Sequence, residues 1–321
     1  MLVFSQTDVL MDRREFLLRT GSAATGGLII GALGGGTSAL AATAGVPGSG
    51  SGRGVSIVCD PRDPVASALP ARWAAEQLRL VLVQRGLAVR RCDRLDEAGP
   101  ADLCVVAVGA ASAAARDAAI GAPMEPEALA LAPGRLGGRD VLLAAGGDVR
   151  GLVYALTELV DAVALGEDPQ TVLRPARAVI GRPANAVRSV MRMPISEVED
   201  KPWFNNRDFW RRYLSLLVTQ RFNRFNLGLG LGYDRPNNLR DTYFYFAYPF
   251  FLAVPGYHVR ATNLADTERD RNLEMLRFIS DEAAARGLQF QLGVWTHAYR
   301  WINSPDANHV IEGLTPETQA P

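Results

Sequence analysis

The sequence predicts an α/β protein in two parts, a small α+β sandwich followed by the first part of a TIM barrel. The sandwich is predicted from residues 54–180, where short apolar strands alternate with helices and two strands flank a Gly137-Gly138 turn. The second part is predicted from residues 187–295, where longer strands and helices alternate strictly. That pattern is typical of parallel βαβ units, in an open sheet or a barrel.

The first part, residues 54–180, divides into five predicted strands and three predicted helices. The strands cover residues 54–60, 87–93, 101–108, 129–131 and 141–144, and the helices cover residues 65–84, 110–120 and 148–164. The first helix carries apolar side chains at helical spacing, among them Leu69, Trp73 and Leu80, and it ends before Gly86. These elements predict an α/β domain that closes its own core.

The second part, residues 181–321, contains three predicted strands and two predicted helices. The strands cover residues 187–193, 225–229 and 289–295, and the helices cover residues 207–220 and 266–286. A complete eight-stranded α/β barrel takes about 250 residues. We therefore expect only the start of a barrel, in a chain that is truncated before the fourth strand.

The first 44 residues are predicted to be a twin-arginine signal peptide. Arg13 and Arg14 are followed by Phe16, and residues 21–40 form a Gly- and Ala-rich apolar run that ends in small residues. A membrane anchor would need about 20 strongly apolar residues, and glycines interrupt this run. Residues 45–53 form a Gly/Ser/Pro linker. The expected partner is the twin-arginine export machinery, and the expected location is periplasmic or extracellular, without a stable membrane anchor.

Charge balance and cysteine spacing limit the classes of partner. Lys plus Arg and Asp plus Glu number 34 each, which argues against nucleic acid. Cys59, Cys92 and Cys104 lack the close pairing of a metal site, and no cofactor is predicted. They are interpreted as buried thiols, with a Cys92–Cys104 or a Cys59–Cys104 disulfide as the alternative in an oxidising compartment.

A glycine-rich turn, Gly146-Gly147-Asp148, precedes the third predicted helix, at a place where backbone N–H groups could hold a phosphate. The run, which continues to Gly151, lacks the Gly-x-Gly-x-x-Gly order and the Lys-Ser/Thr of a P-loop. It is interpreted as a tight turn in which Asp148 caps the helix.

Residues 144–159, with the sequence AAGGDVRGLVYALTEL, resemble the closing strand, turn and helix of a small α/β domain. In family 20 β-hexosaminidases and family 67 α-glucuronidases, a domain of this kind precedes the barrel. Pro175, Arg182-Pro183 and residues 187–192 resemble the linker and first barrel strand of those enzymes. The resemblance covers residues 54–295, and it implies a glycoside hydrolase with an accessory domain ahead of its barrel.

Two arginines on the first predicted barrel strand are candidate substrate contacts. The resemblance to family 20 implies an arginine that holds sugar hydroxyls, and Arg188 lines up best, although Ser189 and Met193 stand where that family has Gly and Asp. Arg192 lies four residues further on, so both side chains should face the same way. A guanidinium suits vicinal hydroxyls or a uronate carboxylate. The alternative is a structural ion pair.

Three polar residues lie at or after the second predicted barrel strand. Barrel active sites lie at the carboxyl ends of the strands, so Asn226, Tyr233 and Asp234 are placed where a substrate could contact them. For Asn226, a hydrogen bond to a neighbouring strand is an equal alternative. Family 20 enzymes carry His and Asp in the equivalent loop and this chain does not, which counts against an acetamido sugar.

Aromatic residues follow the second and third predicted barrel strands. Trp295, His297 and Tyr299 come at the end of the third strand and are candidate substrate contacts. Residues 241–257 hold eight further Phe and Tyr residues. Aromatic faces stack on the C–H surfaces of sugars, but most of these rings are expected to be packing, with one or two exposed.

The sequence is interpreted as an exported glycoside-hydrolase-like protein that acts on the glycosidic bonds of a poly- or oligosaccharide, hexosaminidase-like or α-glucuronidase-like. Such hydrolysis needs two carboxylates. None is assigned, because in the families resembled they come from the fourth strand onward. Glu197, Glu199 and Asp200 are interpreted as solvated loop carboxylates, and His309 is given no role. The alternative is a non-catalytic carbohydrate-binding or scaffold protein on the same fold.

Overall fold

The computed structural model describes residues 54–230, 240–245, 247–253, 255–294 and 307–313. The predicted signal peptide lies outside these residues, as do five predicted site residues: Tyr233, Asp234, Trp295, His297 and Tyr299. The described residues form an α/β fold, as predicted. Its two larger sheets, one in residues 54–181 and the other in residues 189–294, are mostly and wholly parallel, respectively. None of the described helices is both long enough and apolar enough to span a bilayer.

The first part is built on a sheet whose central strands are rich in Val, Leu and Ala. Its strands are β1 (Val55–Cys59), β2 (Val89–Cys92), β3 (Leu103–Gly109), β4 (Leu129–Leu136), β5 (Arg139–Gly146) and β6 (Val179–Gly181). Their order is β2-β1-β3-β5-β4-β6, with β4 antiparallel to both neighbours. The predicted hairpin turn joins β4 to β5, and Gly137 and Gly138 take φ values of 55° and 81° there, which glycine adopts without strain.

Helices cover both faces of this sheet. They are α1 (Leu69–Gln84), α2 (Ala113–Asp117), α3 (Val149–Leu165) and α4 (Pro169–Val172). The long helices α1 and α3 pack on one face, and α2 with residues 118–122 covers the other. Asp148 caps α3 as predicted, since its Oδ1 accepts the N–H of Gly151 at 2.8 Å. A Cβ on Gly147 or Gly151 would lie 2.1 Å from a carbonyl oxygen, so close packing accounts for the glycine run.

The second part adds the strands and helices of the predicted βαβ units. Its strands are β7 (Ser189–Arg192), β8 (Arg224–Leu229), β9 (Arg260–Ala261), β10 (Gln289–Val294) and β11 (Ile311–Glu312), and its helices are α5 (Glu197–Phe204), α6 (Arg207–Thr219) and α7 (Asp266–Ala285). A parallel sheet of order β10-β8-β7 makes successive long strands neighbours, and β9 pairs with β11. Helix α5 and the short strands β9 and β11 were not predicted.

One core runs through both parts of the described chain. Helix α1 contacts α7 and helix α3 contacts α6. A single cluster of buried side chains contains Leu78 and Leu156 from the first part and Trp210 and Phe225 from the second. The two parts are therefore packed together through contacts between their helices.

The three cysteines are free thiols. Cys92 and Cys104 lie on the two strands that flank β1, so two strand spacings of about 4.8 Å separate them, beyond the reach of a disulfide. Cys59 aligns with Ala107, three residues from Cys104, so their side chains point to opposite faces. Both disulfide alternatives are wrong. Burial raises the pKa of the Cys59 thiol to about 11, as expected of an unreactive thiol.

Candidate functional site

The carboxyl ends of β7, β8 and β10 lie at one edge of the second sheet, because the three strands are parallel and in register. In α/β barrels and open parallel sheets, ligands bind at this edge, where the loops that follow the strands converge. The candidate site has two components. One is the sheet face turned away from the helices, here called the open face, and the other is the set of segments that follow the strands, here called the rim.

The register assigns each side chain of the sheet to one of its faces. Phe225, Leu227 and Leu229 are fully buried on the face that packs against the helices. The alternate residues lie on the open face, in two rows that run across the three strands. The first row is Ser189, Arg224 and Gln289, and the second row is Met191, Asn226 and Gln291.

The open face is mainly polar, and one of its polar atoms is unpaired. Arg224 Nη2 donates to Oε1 of Gln289 at 3.0 Å, and Asn226 Nδ2 donates to Oγ of Ser189 at 2.8 Å. The Oδ1 atom of Asn226 is buried and accepts no hydrogen bond from the described residues. Asn226 thus makes the predicted bond to a neighbouring strand, and it also keeps a free acceptor. A buried acceptor without a partner is costly.

Glycines lie between the second row and the rim. Gly228 and Gly293 are paired in register on β8 and β10. A Cβ built on Gly293 would meet nothing closer than 3.6 Å. A side chain at Gly293 would thus be in ordinary van der Waals contact with β8.

A partly buried polar network joins the segments that form the rim. Glu197 begins α5 after β7, and its carboxylate accepts from Lys201 Nζ and from Asn308 Nδ2, each at 2.9 Å. The backbone N–H of Glu197 donates to Oδ2 of Asp241 at 2.7 Å. Asp241 follows β8 and Asn308 follows β10, so one glutamate links the segments that leave all three strands.

His309 is enclosed by the same network and is 4% exposed. Its Nδ1 lies 2.7 Å from the carbonyl oxygen of Thr262, and its Nε2 lies 3.0 Å from Oε2 of Glu197. His309 thus joins the segment before α7 to the carboxylate at the start of α5.

A second carboxylate, Glu268 in the first turn of α7, completes the network. Lys201 Nζ lies 2.5 Å from Oε1 of Glu268, and the hydroxyl of Tyr243 donates to the same oxygen at 2.6 Å. Asn272 Nδ2 in turn donates to that hydroxyl at 2.7 Å. Within the described ranges, no group of three or more His, Cys, Asp or Glu side chains is placed to hold a metal ion.

The charges of the network hold both glutamates ionised. Burial opposes ionisation of Glu197, but hydrogen bonds from Lys201 and His309 outweigh it and lower its pKa. Burial acts in the same direction on Glu268, and the hydrogen bonds from Lys201 and Tyr243 lower its pKa as well. A carboxylate whose pKa is lowered stays negative at neutral pH and is a poor proton donor.

Arg192 lies on the helix side of the sheet, because it aligns with the buried Leu227. Its guanidinium carbon lies 4.1 Å from the ring centroid of Trp203 and 5.1 Å from that of Phe209. Its Nε is buried and has no acceptor in the described part of the chain. From the sequence, Arg192 was predicted to be a substrate contact on the first barrel strand. The structure instead holds it by cation–π contacts against α5 and α6.

Arg188 lies at the opposite, amino-terminal edge of the sheet. Its Nε and Nη1 donate to the carbonyl oxygens of Arg221 and Asn185, each at 2.6 Å. Its Nη2 pairs with the buried carboxylate of Glu127 in the first part. Arg188 and Arg192 share a face as predicted. Their guanidiniums nevertheless lie at opposite ends of β7, so the two do not form one pocket.

Sequence reasoning missed the network residues at the rim. Glu197 and Asp200 are not simply solvated as expected, because Asp200 accepts from the N–H of Ile195 at 2.6 Å and from Nε1 of Trp203 at 2.8 Å. A signal for α5 was present in the sequence. Ser196 and Glu199 have the spacing of a capping box, and Oγ of Ser196 accepts the N–H of Glu199 at 3.3 Å.

The aromatic segment that follows β8 is mostly packing, as predicted. Its buried rings are Tyr243, Phe244, Tyr245, Phe250 and Phe251. Tyr257 is the exception and is 48% exposed. Two of the buried rings, Tyr243 and Phe250, pack against the imidazole of His309 and so support the network.

Neither a protein-family model nor a curated protein matches the chain. Among solved structures, the chain is similar to a GH138 enzyme targeting pectin rhamnogalacturonan II, with 19% sequence identity and a TM-score of 0.48. The similarity covers 73% of this chain and 30% of that one. The chain thus spans about a third of the length of this solved structure. A likeness at this level assigns no activity, so the function has to be argued from the site.

Proposed function

We propose that the chain belongs to an exported, glycoside-hydrolase-like protein that binds a poly- or oligosaccharide at the carboxyl edge of β7, β8 and β10. The two-part architecture supports this proposal, since an α/β domain followed by neighbouring parallel strands is the arrangement that the resemblance to families 20 and 67 implies. The open face would be the interior of the barrel, and the rim would carry the substrate.

The observation that carries the proposal is the unpaired acceptor of Asn226 on the open face. Sugar hydroxyls both donate and accept hydrogen bonds, so they suit a surface that offers amide groups. Asn226 Oδ1 has no donor among the described residues, and Gln291 lies beside it in the same row. A bound hydroxyl would satisfy the acceptor that the described residues leave free.

The network at the rim would act by positioning these loops. Rigid loops lower the entropy lost when a flexible glycan binds. Glu197 and Glu268 are not proposed as the general acid of hydrolysis, because both have a lowered pKa. The catalytic carboxylates are therefore left unassigned, and Tyr233, Asp234, Trp295, His297 and Tyr299 remain predicted substrate contacts.

A second candidate function is carbohydrate binding without hydrolysis, on the same surface. The ion pairs at the rim favour this candidate. Hydrolysis needs carboxylates that can exchange protons, and Glu197 and Glu268 are both paired with Lys201. The two candidates differ in one readout, the release of a reducing end.

The test is a screen of the full chain against neutral, acetamido and uronate oligosaccharides, with binding measured by calorimetry and cleavage by reducing-end release. We expect saturable binding of at least one glycan, and binding with cleavage would select the hydrolase. Binding without cleavage would select the second candidate. If no glycan binds at millimolar concentration, both candidates are wrong.

Export is proposed from Arg13 and Arg14, which resemble the pair read by the twin-arginine machinery. Replacing both with Lys should keep the protein in the cytoplasm with its first 44 residues attached. Fractionation with N-terminal sequencing measures this outcome. Normal secretion of the double variant would contradict the assignment.

A further inference from the structure

A cavity of about 310 Å³ lies between the two parts, away from the rim. Helices α1 and α3 form one wall, and α6 with the residue after α7 forms the other. The side chains that matter for its chemistry are Trp73, Gln77, Asp161, Arg211, Arg212 and Arg286. The volume is at the lower end of the range of small-molecule sites, about 300–1,000 Å³.

Arg286 presents a buried positive charge to this cavity and is 6% exposed. Its Nη1 lies 2.5 Å from Oε2 of Glu282, and its Nε donates to Oγ of Ser215 at 2.9 Å. Its guanidinium lies 5.1 Å from the ring centroid of Trp73. Nη2 has no acceptor among the described residues. Burial lowers the pKa of Arg286, and the pairing with Glu282 only partly opposes that.

Two more arginines line the same cavity. Arg211 shares Glu282, at 3.4 Å from Nε to Oε1, and also pairs with Asp208 at 3.2 Å. Arg212 makes no hydrogen bond or ion pair with any described residue. Glu282 therefore pairs with two guanidiniums, and Asp161 also lines the cavity.

Arg286 is the buried guanidinium of the three and shares Glu282 with Arg211. Arg211 and Arg212 are exposed to solvent. Arginine forks bind carboxylate and phosphate groups in bidentate geometry. Gln77 adds an amide from the opposite wall, and it makes no hydrogen bond with the described residues. The cavity thus offers what a small oxyanion requires.

We propose that the cavity between the two parts binds a small molecule that carries an oxyanion, a carboxylate or a phosphate, and that is no larger than about one sugar ring. Arg212 and Nη2 of Arg286 bind the oxyanion, and Gln77 binds a neighbouring polar group. The site is separate from the proposed glycan site. Because α1, α3, α6 and the end of α7 all contribute, a bound anion would also stabilise the packing between the two parts.

The experiment titrates the full chain with inorganic phosphate and, separately, with sodium glucuronate, at ionic strength held constant with NaCl. Thermal unfolding and calorimetry are measured together. We expect a saturable rise in Tm and a measurable Kd with at least one of the probes. The stronger of the two identifies the oxyanion.

Arg212→Gln is the test variant, because Arg212 makes no described contact whose loss would unfold the protein. It should weaken binding about tenfold, the effect of losing one charge-assisted contact. Gln77→Leu should weaken it less. The matched control is Arg62→Gln, since Arg62 is an exposed arginine paired with Asp60 in the first part.

Two outcomes would overturn the proposal. One is that neither probe gives a saturable response beyond that of NaCl. The other is that Arg212→Gln binds the probe as tightly as the wild-type chain and the Arg62→Gln control.

Discussion

The amino and carboxyl edges of the β7-β8-β10 sheet are both polar, yet their polar groups are arranged differently. At the amino edge, the starts of the strands are bound to the first part through one buried carboxylate. At the carboxyl edge, the segments that leave the strands are bound to one another, and a polar row on the open face keeps an acceptor that no described residue pairs. The contrast separates residues that bind the two parts of the chain together from the residues proposed to contact a glycan.

The carboxylate at the amino edge is Glu127, which is 8% exposed. It accepts from Arg188 before β7, from Asn223 Nδ2 before β8 at 2.9 Å, and from Arg150 Nη1 at 2.9 Å. Arg150 also donates from Nε to the carbonyl oxygen of Gly287 before β10, at 2.7 Å. Glu127 has a φ of 62°, in a region costly for any residue with a side chain. The ion pairs and hydrogen bonds of the Glu127 carboxylate offset the free-energy cost of this backbone conformation.

At the carboxyl edge, charged side chains join the loops to one another, and the polar residues of the open face are not part of that network. Glu197 pairs with both Lys201 and His309 at the rim. Asn226 and Gln291 lie on the open face, where Asn226 Oδ1 has no partner among the described residues. The same division is general in α/β barrels, where the amino edge serves stability and the carboxyl edge serves function.

The largest effect is expected from Glu127→Gln, which would remove the charge that pairs with Arg188 and Arg150. Breaking a buried ion pair costs about 3–5 kcal/mol, because the partner charges stay buried and unpaired. Urea unfolding of the purified chain at pH 7 measures the loss. The control is Glu125→Gln, since Glu125 is exposed and pairs with Arg182 at the surface. Equal stability of the two variants would show that the amino edge does not depend on Glu127.

A smaller, pH-dependent effect is expected from Glu197→Gln. Glu197 has a folded-state pKa below its ordinary value of 4.5, so its contribution is present at neutral pH and is lost as pH falls through the folded pKa. We expect a loss of about 1–3 kcal/mol at pH 7, shrinking below about pH 4.5. Chemical unfolding across pH 3–7 measures it. The control is the exposed Glu167→Gln, and a difference that grows on acidification would contradict the sign.

The smallest effect is expected from Arg192→Met. The variant would lose a cation–π contact of about 1 kcal/mol, and it would also remove a buried Nε that has no acceptor among the described residues, which partly offsets the loss. Glycan affinity should not change, because Arg192 lies on the helix side of the sheet. A fall in affinity without a fall in stability would restore its predicted role as a substrate contact.

Elements with strong local signals could be predicted from the sequence. Helix α3 was placed to within one residue at each end, because Asp148 is a good N-cap and apolar residues recur at helical spacing. Helix α5 was missed, since Pro202 lies inside it and its charged residues give little amphipathic contrast. Strands β9 and β11 have two residues each, which is too short for a periodic pattern.

The polar clusters could not be predicted, because their partners are distant in sequence. Glu127 is 23, 61 and 96 residues from Arg150, Arg188 and Asn223. Glu197 is 112 residues from His309. No local pattern joins such residues. The rule that barrel sites lie at the carboxyl ends of the strands selected Asn226, whose role as a substrate contact stays a prediction. The same rule could not show that helices cover the face of the sheet that carries Arg188 and Arg192.

The measurement that tests the central claim most directly is a crossed comparison of Asn226→Ala and Arg188→Met, for glycan affinity and for the free energy of unfolding. We predict that Asn226→Ala weakens binding of the glycan found in the screen about tenfold, with a stability change below about 1 kcal/mol. Arg188→Met should lower stability by about 3 kcal/mol or more and leave the affinity unchanged. The opposite result, with affinity lost in Arg188→Met and kept in Asn226→Ala, would contradict the assignment of function to the carboxyl edge.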